Sequence, residues 1–137
     1  MMRLQKVLCG GLLNDDQLFV APYVLTDMSD DMLVAEEETF GPVAPLFRFE
    51  DEAEVLERAN DTESGLAGYF YTRSLGRAWR VADALEVGMV GINEGLISTA
   101  AAPFGGIKES GLGREGSRHG MDEYLEMKYM LMGGLNN

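Results

Sequence analysis

A chain of 137 residues with 46% hydrophobic content has the make-up of one folded domain, not of a disordered tail. Its formal charge of -12 repels phosphate backbones and excludes duplex nucleic acid as a partner. No apolar run approaches the ~20 residues of a membrane span, and Met1-Met2-Arg3-Leu4-Gln5-Lys6 lacks the apolar core of a signal peptide, so the expected location is cytoplasmic with no membrane partner.

Lys6-Val7-Leu8 reads as a short apolar strand that enters a turn at Gly10-Gly11. The single cysteine, Cys9, lies between them; it rules out an internal disulfide and a cysteine-based zinc site, and is expected as a small buried apolar group. Residues 22–26 read as a strand ended by the polar cluster 27–31. Alternation of Leu46 and Arg48 against Phe47 and Phe49 predicts another strand over 45–49. Asp51 and Glu52 open a helix, where acids suit the positive end of the dipole, with Ala53, Leu56 and Ala59 as its inner face.

Residues 66–72 form the next predicted strand. Ser74 can cap the helix after it, whose apolar stripe is Ala78, Val81, Ala82 and Leu85, and Gly88 supplies its stop. Met89 to Asn93 is a third strand, giving β-α-β-α-β and hence an α/β fold with a parallel sheet. Beyond it come a glycine-containing loop over 97–113, a short helix around 115–120, and an apolar terminal strand over 124–132 that either joins its own sheet or pairs with another subunit. The expected division is 1–123 as a catalytic-domain portion and 124–137 as an oligomerisation arm and tail.

Gly111-Leu112-Gly113-Arg114-Glu115-Gly116 fits Gly-x-Gly-x-x-Gly, yet a polar loop precedes it and no second strand with an acid about 20 residues on can follow. These glycines suit a tight turn, not a dinucleotide. A longer pattern carries more. Phe19-Val20-Ala21-Pro22, Glu37-Glu38-Thr39-Phe40-Gly41-Pro42, Asn60-Asp61-Thr62 with Gly65-Leu66-Ala67, and Pro103-Phe104-Gly105-Gly106-Ile107-Lys108 with Ser110-Gly111-Leu112-Gly113-Arg114 occur in that order. In this the chain resembles the C-terminal portion of the aldehyde dehydrogenase superfamily. Gly95-Leu96-Ile97-Ser98 and Asp122-Glu123-Tyr124-Leu125-Glu126 are most similar to its succinate-semialdehyde branch.

The resemblance implies that Glu38 binds the two hydroxyls of a nicotinamide ribose, as an acceptor-only carboxylate can, and that Phe40 flanks the nicotinamide. By themselves they read as a helix-cap acid and a core phenylalanine. Ser98 corresponds to a hydroxyl that holds the substrate's remote carboxylate, and Phe104 to an aromatic lining the aldehyde tunnel; otherwise they are a loop serine and ordinary packing. Glu115 corresponds to a proton relay, although an acid in a helix's first turn has the same pattern. Arg114 and Glu126 correspond to charged positions near a subunit interface, or to a surface pair of little energetic weight. His119 has no metal-ligand partners nearby in sequence and is expected at the surface. Tyr23 departs from the threonine common in the family.

In the full-length family, cysteine attack, hydride transfer to NAD or NADP and thioester hydrolysis convert an aldehyde to an acid. The nucleophile, general base, oxyanion amide and dinucleotide domain lie N-terminal to the matched stretch, and Cys9 is not the nucleophile. The chain is therefore expected to be inactive alone and not to bind NAD or NADP by itself. Two other readings stand: one half of a split enzyme that needs a separate N-terminal dehydrogenase chain, and a non-enzymatic module that homo-oligomerises through 124–132.

Overall fold

The computed structural model describes residues 6–14 and 18–134. The chain divides into two compact units, Met1–Val55 and Leu56–Asn137.

In the first unit, β1 (Lys6–Leu12) and β2 (Val20–Thr26) pair antiparallel, from Lys6 opposite Thr26 to Leu12 opposite Val20. The short helix α1 (Leu33–Glu36) follows, and β3 (Val43–Pro45) then lies parallel to β2. The strand expected over 45–49 thus begins earlier and stops at Pro45, whose nitrogen has no proton to donate. Leu46 N still donates to Leu25 O at 2.8 Å, and the ladder then ends. Cys9 is exposed, against the expected burial. It lies on a strand with one neighbour, so its environment is that of a sheet edge.

Helix α2 (Glu52–Asn60) begins where the acids predict it. Asp51 Oδ1 accepts from Glu54 N at 2.9 Å, and Glu54 Oε2 accepts from Glu50 N at 2.7 Å, which together satisfy two backbone donors at the helix start. Leu56 is half-buried, but Ala53 and Ala59 are exposed, so the expected inner face has no covering layer in the described chain.

In the second unit, β4 (Ser64–Gly65) pairs antiparallel with β7 (Ile107–Lys108). Strand β5 (Ala67–Phe70) pairs parallel with β6 (Met89–Ile92), and helix α3 (Leu75–Ala84) crosses between them. Ser74 Oγ accepts from Arg77 N at 3.3 Å, the predicted cap, and Val81 of the predicted stripe is buried. Gly88 is not the expected helix stop, since α3 ends at Ala84 with Leu85 as its C-cap; it serves a close backbone approach instead. A Cβ there would stand 2.0 Å from Gly105 O, so the loop can approach only because the side chain is missing.

The α/β class, the parallel pairing and the β5-α3-β6 unit agree with the sequence, and the parallel strands are arranged in small sheets. Strand β3 takes β2 as its parallel neighbour, and β5 and β6 form a sheet of their own. Helical spacing between strands shows that they run parallel, not that they are adjacent. The predicted helix around 115–120 is a 3-10 helix at His119–Tyr124, because the Glu115 backbone is paired with Phe104. Residues 125–134 carry no regular structure, so the terminal strand is absent from the described chain; a strand needs an edge to pair with.

Among the described residues, the buried hydrophobic side chains are Met28 at 8% exposure and Val81 at 9%. Each unit has its backbone bonds in place around a core that is not closed.

Candidate active-site wall

Segment 37–42 frames two of the predicted residues. Glu37 N donates to Leu33 O at 2.7 Å and ends α1; Tyr23 N donates to Pro42 O at 2.7 Å and ties the far side to β2. Gly41 N reaches Thr39 O, and Val43 N reaches Gly41 O, each at 2.8 Å. Glu38 therefore follows a helix C-terminus and is not a cap acid at a positive end. Phe40 is 97% exposed and is no core residue. Both are exposed on a short bonded loop, where a carboxylate can accept from two hydroxyls and an aromatic ring can lie against a flat heterocycle.

Segment 103–115 is built differently. Phe104 and Glu115 exchange backbone bonds, Phe104 N to Glu115 O at 2.8 Å and Glu115 N to Phe104 O at 2.7 Å, and so close the loop at its base. Arg114 Nη1 donates to Gly106 O and to Gly113 O, both at 2.7 Å. Gly113 has φ +82 and lies against the flexible end of the Glu123 side chain, so it is the left-handed backbone of the turn that favours glycine there. Ser110 Oγ accepts from Gly65 N at 2.9 Å.

Lys108 fastens this loop to the rest of its unit. Its Nζ donates to Asn60 O at 2.8 Å and Thr62 O at 3.2 Å, and pairs with Glu86 Oε2 at 2.7 Å. All three ammonium protons are used. Asn60 reinforces the junction, with Nδ2 donating to Ala84 O at 2.8 Å and Oδ1 accepting from Glu86 N at 2.9 Å. Neither residue stands out in sequence by type. What marks them is their place in the motifs that carry the resemblance, Asn60-Asp61-Thr62 and Pro103-Phe104-Gly105-Gly106-Ile107-Lys108.

An open cleft of about 790 Å³ is lined by Phe104, Leu112, Arg114, Glu115, Glu123 and Tyr124, with neighbouring glycines. Phe104, Arg114 and Glu115 are thus brought together. Glu115 is exposed and four residues ahead of the 3-10 helix, which removes the first-turn account of its charge. Arg114 directs its guanidinium to backbone carbonyls, and no ion pair joins it to Glu126 among the described residues. Glu126 is exposed beyond the 3-10 helix.

Ser98 is exposed in the loop after β6. Asn93 anchors the base of that loop: Thr72 N donates to its Oδ1 and its Nδ2 donates to Thr72 O, both at 2.8 Å, which extends the β5–β6 ladder with a side chain. His119 is a surface residue, its Nδ1 3.5 Å from Asp122 Oδ2. Among the described residues no group of histidine, cysteine and acidic side chains is arranged to hold a metal, and no helix is long and apolar enough to cross a membrane.

The sequence profile of the aldehyde dehydrogenase family matches residues 3–130. The chain belongs to the aldehyde dehydrogenase family. Among curated aldehyde dehydrogenases, it is 58% identical to the NADP(+) succinate-semialdehyde dehydrogenase of Escherichia coli over 93% of this chain and 27% of that one. It is 62% identical to the glutarate-semialdehyde dehydrogenase of Pseudomonas putida over 91% of this chain and 26% of that one. The solved succinate-semialdehyde dehydrogenase of Burkholderia pseudomallei superposes with a TM-score of 0.83 at 60% identity, covering 88% of this chain and 25% of the other. The chain spans about a quarter of the length of the relatives it matches.

Proposed function

We propose that this chain supplies the cofactor-facing loop and one substrate wall of an aldehyde dehydrogenase that oxidises an aldehyde carrying a remote carboxylate, succinate semialdehyde above all, and that it works only with the rest of the fold. The observation that carries this is the match itself: 58% identity with a succinate-semialdehyde enzyme along nearly the whole chain, over only 27% of that enzyme's length. Glutarate semialdehyde differs from succinate semialdehyde by one methylene and keeps the terminal carboxylate, so the 62% identity with its dehydrogenase supports the same substrate class.

In this reading Glu38 accepts from the ribose hydroxyls and Phe40 limits the positions of the nicotinamide ring. NAD or NADP, when bound, takes up the hydride. Ser98 donates its hydroxyl to the remote carboxylate, Phe104 lines the approach of the aldehyde, and Glu115 passes a proton at its carboxylate. Cys9, exposed on β1, takes no part.

The test is turnover of succinic semialdehyde with NAD or NADP by the purified chain, alone and co-expressed with the part of the Escherichia coli relative that the match leaves uncovered. The expected result is no turnover and no calorimetric cofactor binding alone, and aldehyde-dependent reduction of the cofactor in the mixture. Turnover by the chain alone, or an inactive mixture that assembles fully, overturns the reading.

A second reading, a homo-oligomerisation module, is favoured by the tail. Leu125, Met127, Tyr129, Met130, Leu131 and Met132 are all exposed, an apolar strip suited to pairing with a sheet edge of another copy. Sedimentation that shows a monomer at high concentration overturns it.

A further inference from the structure

Two residues other than glycine have a left-handed backbone at the ends of one segment, Asn93 at φ +56 and Lys108 at φ +54. Between them runs 94–107, which carries Ser98 and Phe104. A side chain costs energy in this conformation, less for asparagine than for lysine, and glycine would adopt it freely. Such a backbone persists where the surroundings hold it. Both side chains do so by bonding backbone outside the segment. Asn93 clasps Thr72 through its two amide atoms, each at 2.8 Å. Lys108 Nζ reaches Asn60 O at 2.8 Å, Thr62 O at 3.2 Å and Glu86 Oε2 at 2.7 Å. From Glu94 to Gly106 the segment has no helix, and its one bridge is Phe104 with Glu115. Midway, Ala100 O accepts from Ser117 N at 2.9 Å. Its course is therefore set by ties to chain outside it.

We propose that Asn93 and Lys108 are positioning residues for the substrate wall: by clasping both ends of 94–107 they set where Ser98 stands relative to Phe104, and so which length of aldehyde is accepted. The inference rests on the function proposed above, in which Ser98 meets the remote carboxylate and Phe104 lines the aldehyde's approach. Those contacts fall on different parts of one substrate, so their separation is compared with its chain length. Succinate and glutarate semialdehydes differ there by one methylene. A loop free at either end adapts to both, whereas a loop held at both ends favours one.

The test uses Asn93→Gly, Lys108→Gly and Lys108→Arg. Glycine removes the clasp and relieves the backbone at once, so a role confined to backbone conformation leaves the loop as firmly held as before. In the chain alone, both glycine variants should show about tenfold faster hydrogen exchange at the Ala102 and Phe104 amides, with the α3 amides unchanged as the check on folding. If one variant loses protection in α3, the other decides. Co-expressed with the uncovered part of the Escherichia coli relative, both should shift the ratio of kcat/KM for succinic and glutaric semialdehyde about fivefold, mainly through KM, with Lys108→Arg in between. Unchanged loop exchange overturns the inference. So does faster exchange with an unchanged ratio, which leaves the clasps a stabilising role only. An unsubstituted assembly that oxidises neither aldehyde overturns the proposed function and the inference with it; an active assembly whose variants keep the ratio overturns the inference alone.

Discussion

Segments 37–42 and 103–115 both carry residues singled out by the family pattern, and they are held in opposite ways. Segment 37–42 is fixed by backbone bonds at its ends and puts Glu38 and Phe40 into solvent. Segment 103–115 is fixed along its length, by the Phe104–Glu115 pair, by Arg114 to two carbonyls, by Ser110 to β4 and by Lys108 to three partners. A surface that lines a passage for substrate gains from rigidity set in advance, since its shape is the specificity. A surface that grips one end of a cofactor can take its final order from the ligand.

The largest expected effect that tests this contrast is Gly88→Ala. Its Cβ meets Gly105 O and the Gly106 backbone, and backbone cannot swing aside as a flexible side chain can. A loss of about 3 kcal/mol is expected, read as a lowered urea midpoint of the second unit; an unchanged midpoint means the loop is not seated there. Lys108→Met keeps the stem and removes the ammonium, leaving Asn60 O and Thr62 O without this donor. About 2 kcal/mol is expected, and because Glu86 is largely exposed the Glu86→Gln change should cost much less. Arg114→Met removes two bonds to half-buried carbonyls, at about 1.5 kcal/mol, with about tenfold faster hydrogen exchange at the Glu115 amide. The smallest effect belongs to the other segment. Phe40→Ala should move the melting curve by less than about 0.5 kcal/mol, since the ring touches little. In the assembled dehydrogenase the same change should raise the cofactor KM, and a large loss of stability would erase the contrast.

What could be read in the sequence was local. The Ser74 cap, the Val81 stripe and the parallel β5-α3-β6 unit follow from capping and periodicity within about 25 residues. The family pattern gave the candidate residues, and the fold shows Phe104, Arg114 and Glu115 at one cleft. Adjacency was not legible. Apolar alternation over 45–49 could not say that the ladder stops at Pro45, nor that β3 lies beside β2. Residues 124–132 show strand composition, but composition does not supply an edge. Cys9 read as buried because its strand is apolar, while the covering it would need is not part of the described chain. The roles of Lys108 and Asn60 depend on contacts 48 and 24 residues apart, which no local pattern encodes.

Those separations bear on the order of assembly. Strands β1 and β2 lie close together in the sequence, and β5 and β6 are joined through one helix, so both pairs form from nearby stretches of chain. The β4–β7 pair and the Lys108 bonds instead close a loop of more than forty residues for two ladder positions and one ammonium. Closure of that span costs entropy before any contact repays it. The loop that lines the cleft is thus the latest-made part of its unit, closed only after Lys108 has emerged and turned back on Asn60.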